Sequence, residues 1–196
     1  MRIVCASANA HKVAEIARLL PVDVVLLPRP DEVGDVDETA PTLEGNAVIK
    51  AVEIANHAGT WAIADDTGLE VDSLGGAPGV HSARFAGPSA DDAANRALLL
   101  ARLEGHDDRR ARFRTVVALV HPSGEIHLLL GECRGSITNA ERGVNGFGYD
   151  NVFVPDDGDG RTFAEMDPIE KDSISHRARA LAQLPVLVAR ISGRAE

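Results

Sequence analysis

The chain has 196 residues and a mass of 20.7 kDa, and 44% of it is hydrophobic, which suits one domain with a real core and excludes disorder as the main state. Lys and Arg number 20 against 30 Asp and Glu, giving a net charge of −10 and a pI near 5.1. That balance argues against long contacts with duplex nucleic acid or an anionic membrane, so an anionic partner has to be small and locally gripped.

Residues Arg2 to Ala6 read as a short buried strand, and Val13, Ile16, Ala17 and Leu20 then recur at helical spacing until Pro21. Val22 to Leu27 reads as a second strand, followed by an acidic, proline-bearing connection from Pro28 to Pro41. Thr42 is placed to cap a helix with Leu43, Ala47, Ala51, Ile54 and Ala58 on one face, and Gly59 to end it. Trp61 to Ala64 is then a buried strand ending in two carboxylates, and Gly68 to Gly87 a turn and long ordered loop. Ser89 caps the next helix, which turns Ala94, Ala97, Leu98 and Ala101 inward. Phe113 to Val120 and Ile126 to Cys133 form a hairpin around Ser123-Gly124; Val152 to Val154 makes a short strand and Ser175 to Leu184 a helix. No repeat or interior linker appears, so this order predicts a single α/β domain, residues 1–196, with a mixed sheet. The apolar runs fall short of the ~20 residues that span a bilayer, no signal-peptide pattern opens the chain, and Cys5 and Cys133 read as free core thiols. A soluble cytoplasmic protein is expected.

Four segments carry chemistry. Ser7, Ala8, Asn9, Ala10, His11 and Lys12 join the first strand to the first helix, where backbone N–H groups and the Lys12 charge suit an anion; an Asn9 cap beside a solvated lysine is the plainer alternative. The segment lacks the glycines and Gly-Lys-Ser/Thr ending of a Walker loop. Asp65 and Asp66 end a strand, where alternation lets one site use one of the two directly, as a general base or a ligand of Mg²⁺, against the alternative of a polar turn. Asn145 to Phe153 holds Phe147, Tyr149 and Phe153, three of the chain's seven aromatics, on a glycine-loosened stretch suited either to stacking on a nucleobase or to seeding the core. Lys171, His176, Arg177 and Arg179 gather around a helix start where the dipole disfavours cations, which calls for an offsetting anion: a bound triphosphate or a carboxylate of the protein.

Taken in order, SANAHK, TLEGNAVIKA, ADDTGLEVDSLGGAPGVHSARFAG, GFGYDNVF, TFAEM and KDSISHRARAL closely resemble the inosine triphosphate pyrophosphatase family, from Ile3 to about Leu184. The resemblance implies a two-lobed α/β fold, with a long central mixed sheet flanked by helices and a cleft between lobes, and usually a homodimer. It implies hydrolysis of deaminated purine nucleoside triphosphates (ITP, dITP, XTP) to monophosphate and pyrophosphate, by attack of an activated water on the α-phosphorus with Mg²⁺ as cofactor. Carried over, Ser7 to Lys12 becomes the phosphate loop. Asp66 becomes the general base and metal ligand, with Lys12 the other catalytic candidate. Thr67, Phe147, Gly148, Tyr149, Asp150, Lys171, His176 and Arg177 become substrate contacts. Many relatives place an acid directly before the Asn-Ala of the second helix, where this chain has Gly45; Glu44, about 100° round the helix, is the candidate second metal ligand. Two other readings are kept: a Maf-like nucleotide pyrophosphatase, whose Ser-Arg-rich N-terminal loop is absent, and a nucleotide sensor that has lost turnover, for which Gly45 is the only hint.

Overall fold

The computed structural model describes Met1–Gly193, so residues 194–196 of the expected domain lie outside the described residues. The chain divides into two compact units, one made of Met1–Asp66, Thr115–Gly131 and the chain from Arg177 onward, the other of Thr67–Arg114 and Glu132–His176.

In the first unit, β1 (Arg2–Cys5) leads through Ser7–Asn9 into α1 (Ala10–Leu19), then to β2 (Val25–Leu27) and α2 (Leu43–Ala58). Ile3 pairs with Leu26 of β2, and Val4 with Ala62 of β3 (Ala62–Val71), both in parallel. A parallel strand between two others is covered on both faces, which is why Ile3, Val4 and Cys5 form an unbroken buried run. Thr42 caps α2 by accepting from the Gly45 N–H, and Gly59 ends it in the left-handed region at φ 64°, as the sequence predicts. α5 (His176–Leu181) and α6 (Leu184–Ser192) close the unit: Ala180, Leu181, Leu184, Leu187 and Val188 pack with Ile3, Ile16, Ile63, Val117 and Leu119.

The second unit holds β4 (Pro78–Gly79), α3 (Asp92–Arg102), β7 (Phe153–Pro155) and α4 (Pro168–Ile174). Its core joins Leu69, Val71, Leu99, Phe113, Cys133, Tyr149, Phe153 and Phe163. β5 (Arg110–Val120) and β6 (Ile126–Ile137) complete a seven-stranded mixed sheet in the order β2-β1-β3-β5-β6-β7, with β4 on β3. A Cβ on Gly68 would come within 2.6 Å of the Gly79 carbonyl oxygen, so the approach of β4 to β3 requires glycine there.

Several boundaries differ from the sequence reading. β3 runs on from Ala64 through both aspartates to Val71 instead of ending at a turn, because cationic side chains meet the two buried carboxylates and let the backbone stay extended. The cap of α3 is Asp91, which accepts from the Ala94 N–H, not Ser89. The expected Ser175–Leu184 helix is part of a three-helix run: Asp167 and Glu170 form a capping box that starts α4, Ser175 is extended and separates it from α5, and α6 follows with Pro185 in its first turn. Cys5 and Cys133 are both buried thiols.

Candidate active site

The first unit gathers charge around the end of β1 and the start of α1. Asn9 caps α1, its Oδ1 accepting from the N–H groups of His11 (2.9 Å) and Lys12 (3.2 Å), while the Ser7 hydroxyl accepts from the Asn9 N–H. The Asn9 cap of the plainer reading is thus present, without its solvated lysine, and Ala8, Asn9, Ala10 and His11 lie at the surface. Lys12 turns inward, its ammonium 3.2 Å from Asp65 Oδ2.

Asp65 and Asp66 are both buried and have different partners, as strand alternation dictates. Asp65 meets Lys12 and the guanidinium of Arg177, which donates from Nη2 at 2.9 Å and from Nε at 3.3 Å. Asp66 accepts from Lys50 Nζ at 2.9 Å. Burial pushes both carboxyls up, but around Asp65 the charges of Lys12, Arg177 and Lys50 outweigh it and hold the pKa far below the usual range. For Asp66 burial wins, and its pKa is raised despite Lys50 and Lys12. The pKa values of two neighbouring carboxyls are thus driven apart, that of Asp65 downward by its cations and that of Asp66 upward by burial.

Arg177 is 1% exposed, and besides Asp65 it donates to Glu15, so protein carboxylates, one of the two offsets the sequence allows, stand beside this cation. Glu15, Lys50 and Glu38 are the residues that sequence reasoning missed. Lys50 also donates to Glu38 Oε1 (2.6 Å) and to the Asp65 carbonyl (2.9 Å), so one ammonium links two carboxylates and the strand. It faces inward three residues after Ala47 and four before Ile54, and a lysine at a core-facing helical position is a signal the sequence did contain. Glu38 sits in the acidic loop, where periodicity gives no hint. Its approach depends on Gly45: a Cβ there would stand 2.5 Å from that of Ala40, whose N–H donates to Asn46 Oδ1. Gly45 therefore lets the chain before α2 fold back on the helix start. Glu44 lies half-buried in the same first turn.

For a metal, the donor chemistry is oxygen only. Among the described residues no three acidic, histidine or cysteine side chains gather as an all-protein cage. Mg²⁺ asks for less, one or two carboxylates with waters and substrate phosphates supplying the rest; Asp66 and Glu38 are oxygen donors of that kind, and both are bonded to the Lys50 ammonium.

In the second unit Phe147 is half-buried, whereas Tyr149 and Phe153 belong to the core, Tyr149 donating its hydroxyl to the Ser82 carbonyl. Asp150 organises the loop, its Oδ2 accepting from the Phe147 N–H (3.0 Å) and from Lys171 Nζ (2.6 Å). The same ammonium lies 5.0 Å from the centre of the Phe147 ring. Gly148 is held by α3, donating to Asp92 Oδ2 and accepting from Arg96. His176 is buried and stacks on Phe113 at 4.5 Å, and Thr67 is half-buried on β3.

The chain and its fold have known counterparts. Residues 3–186 match the model of the Ham1 family, and the chain belongs to that family. It is 48% identical over 192 residues to the dITP/XTP pyrophosphatase of Mycobacteroides abscessus, covering 94% of this chain and 93% of that one. It is 46% identical over 197 residues to the protein of the same name from Desulforamulus reducens, covering 97% of each. Among solved structures, a HAM1 protein from Coxiella burnetii aligns with a TM-score of 0.88 at 41% identity, covering 97% of this chain and 99% of that one. The Staphylococcus aureus Ham1 protein aligns with 0.84 at 36%, covering 99% and 100%.

Proposed function

We propose that this protein hydrolyses deaminated purine nucleoside triphosphates, with dITP, ITP and XTP as substrates, to the nucleoside monophosphate and pyrophosphate, and so clears such precursors from the nucleotide pool. The observation that carries the reading is the similarity along nearly the whole chain to enzymes named dITP/XTP pyrophosphatase, supported by two adjacent buried carboxylates with separate cationic partners.

Asp66 is the general base: its carboxylate takes a proton from the water that attacks the α-phosphorus, and a raised pKa makes it the better acceptor of the two aspartates. Lys50 orients Asp66 through the 2.9 Å contact. Lys12 supplies positive charge to the phosphates, and the segment from Ser7 to His11 binds them with backbone groups. Asp66 with Glu38 or Glu44 would hold Mg²⁺, which would neutralise charge on the triphosphate. Phe147 stacks on the purine, and Thr67, Gly148, Tyr149, Asp150, Lys171 and His176 shape the contacts around it. Among the described residues no helix is long and apolar enough to cross a membrane. A cytoplasmic homodimer is the working form we infer from the resemblance, and sedimentation of the purified protein tests the dimer.

The deciding experiment compares the parent protein with Asp66→Asn for pyrophosphate release from dITP with and without Mg²⁺. The reading expects Mg²⁺-dependent release by the parent and a loss of about 10² or more in the variant with dITP still bound. A folded parent that binds dITP without turning it over is the sensor instead.

A further inference from the structure

Glu15 is a buried carboxylate, 6% exposed, on a helix whose solvent face carries Ala14, Ala17 and Arg18, and the proposed chemistry makes no use of it. It lies three residues after Lys12 on α1, and residues at that spacing share a helix face. Both therefore point toward the same guest, the Asp65–Arg177 pair. The charges alternate: the Lys12 ammonium is 3.2 Å from Asp65 Oδ2, the same oxygen accepts from Arg177 at 2.9 and 3.3 Å, and Arg177 Nη1 donates to Glu15. Because Asp65 Oδ2 is shared by two cations, the place of the guanidinium sets how the oxygen is divided between them. A guanidinium is a rigid planar fork, and Glu15 on its Nη1 edge opposes the pull of Asp65 on its other edge.

We propose that Glu15 is a positioning residue for the reaction: by holding Arg177 against Asp65 from the opposite side, it fixes the Asp65 oxygen on which Lys12 rests, and hence the place of the Lys12 ammonium. This rests on the pyrophosphatase reading, in which Lys12 serves the triphosphate. Arg177 then acts through Asp65 and is itself a positioning residue.

Loss of the charge at Glu15 has a signature that loss of fold does not. Glu15→Gln keeps the shape and an acceptor oxygen but leaves the buried cluster one charge more positive, so ground-state binding of a polyanion is not weakened. The guanidinium is drawn toward Asp65 and displaces Lys12, and a displacement of ~1 Å at a catalytic group costs up to about 10²-fold in rate. The expected result, per folded molecule, is a kcat for dITP lowered by about 10- to 100-fold with KM unchanged or lower. A merely structural Glu15 lowers the folded fraction and leaves kcat per folded molecule and KM as they were, which overturns the inference. The second arm compares Arg177→Met with Arg177→Met/Glu15→Gln, a neutral pair that stays testable even where Glu15→Gln alone fails to fold. If Glu15 acts through Arg177, these two agree in kcat within about twofold; a further tenfold fall in the double variant contradicts the inference. A parent protein that releases no pyrophosphate overturns the pyrophosphatase reading and this inference with it, whereas an active parent with either contrary result overturns the inference alone.

Discussion

Replacing Arg177 by Ala is the perturbation for which sequence and structure disagree most. Read as a surface cation at a helix start, Arg177 is dispensable for folding, and its removal relieves about 0.3–1 kcal/mol of unfavourable dipole interaction. The structure places it 1% exposed with Glu15 and Asp65 on two edges of its guanidinium. Removing one partner of a buried ion pair costs about 3–5 kcal/mol, several times the dipole term. For a chain of this size 1 kcal/mol corresponds to about 2–4 °C, so Arg177→Ala is expected to melt about 6–20 °C below the parent by circular dichroism. The sign with pH follows from Asp65. Burial raises its pKa, but Lys12, Arg177 and Lys50 together hold it well below the usual range, so its contribution to stability is present above an unfolded value of about 3.9 and fades as pH falls below that. The deficit of Arg177→Ala is therefore largest near neutrality and narrows below about pH 4. A variant that melts within about 2 °C of the parent at pH 7 refutes the buried-clamp account and returns Arg177 to the surface.

In the parent, kcat/KM should fall on acidification as Asp66 takes up a proton, and Asp66→Asn should abolish that limb along with about 10² or more of the rate; an acidic limb unchanged in the variant contradicts the assignment. Phe147→Ala should weaken binding of the purine by the ~1–3 kcal/mol of one stacked base, measured as a rise in the dissociation constant for dIMP of about 5- to 150-fold; an unchanged constant shows that Phe147 only packs its loop. Glu38→Gln should raise the Mg²⁺ concentration for half-maximal turnover more than Glu44→Gln does, since Glu38 shares Lys50 with Asp66, and the reverse order assigns the second ligand to Glu44.

What the sequence discloses follows physical lines. α2 was legible in full, because a threonine cap, an apolar stripe and a C-terminal glycine agree with one another. β3 was cut short because Asp-Asp-Thr-Gly has the composition of a turn, and only the tertiary partners Lys12, Lys50 and Arg177 make an extended, buried aspartate pair tolerable. The candidate segments around Lys12, Asp66 and Phe147 are visible in the sequence as clustered polar or aromatic residues. Glu15 and Lys50 each occupy an inward helical position, where a charged residue announces a buried partner elsewhere in the chain. Glu38 had no such signal, since its nearness to Lys50 is set by the path of a loop whose seat is the small side of Gly45. The anion beside Arg177 had two readings in the sequence, ligand or protein, and the distance between Glu15 and Arg177 along the chain hid the answer.

The central claim is tested most directly by identifying the products formed from dITP and ATP at one concentration with Mg²⁺. The account predicts pyrophosphate and the monophosphate from dITP, with no orthophosphate, and turnover of ATP slower by as much as ~10⁴ in kcat/KM, since a site built for a 6-oxo group leaves its donors unmatched against an amino group. Equal turnover of the two nucleotides, or orthophosphate as the product, would contradict it.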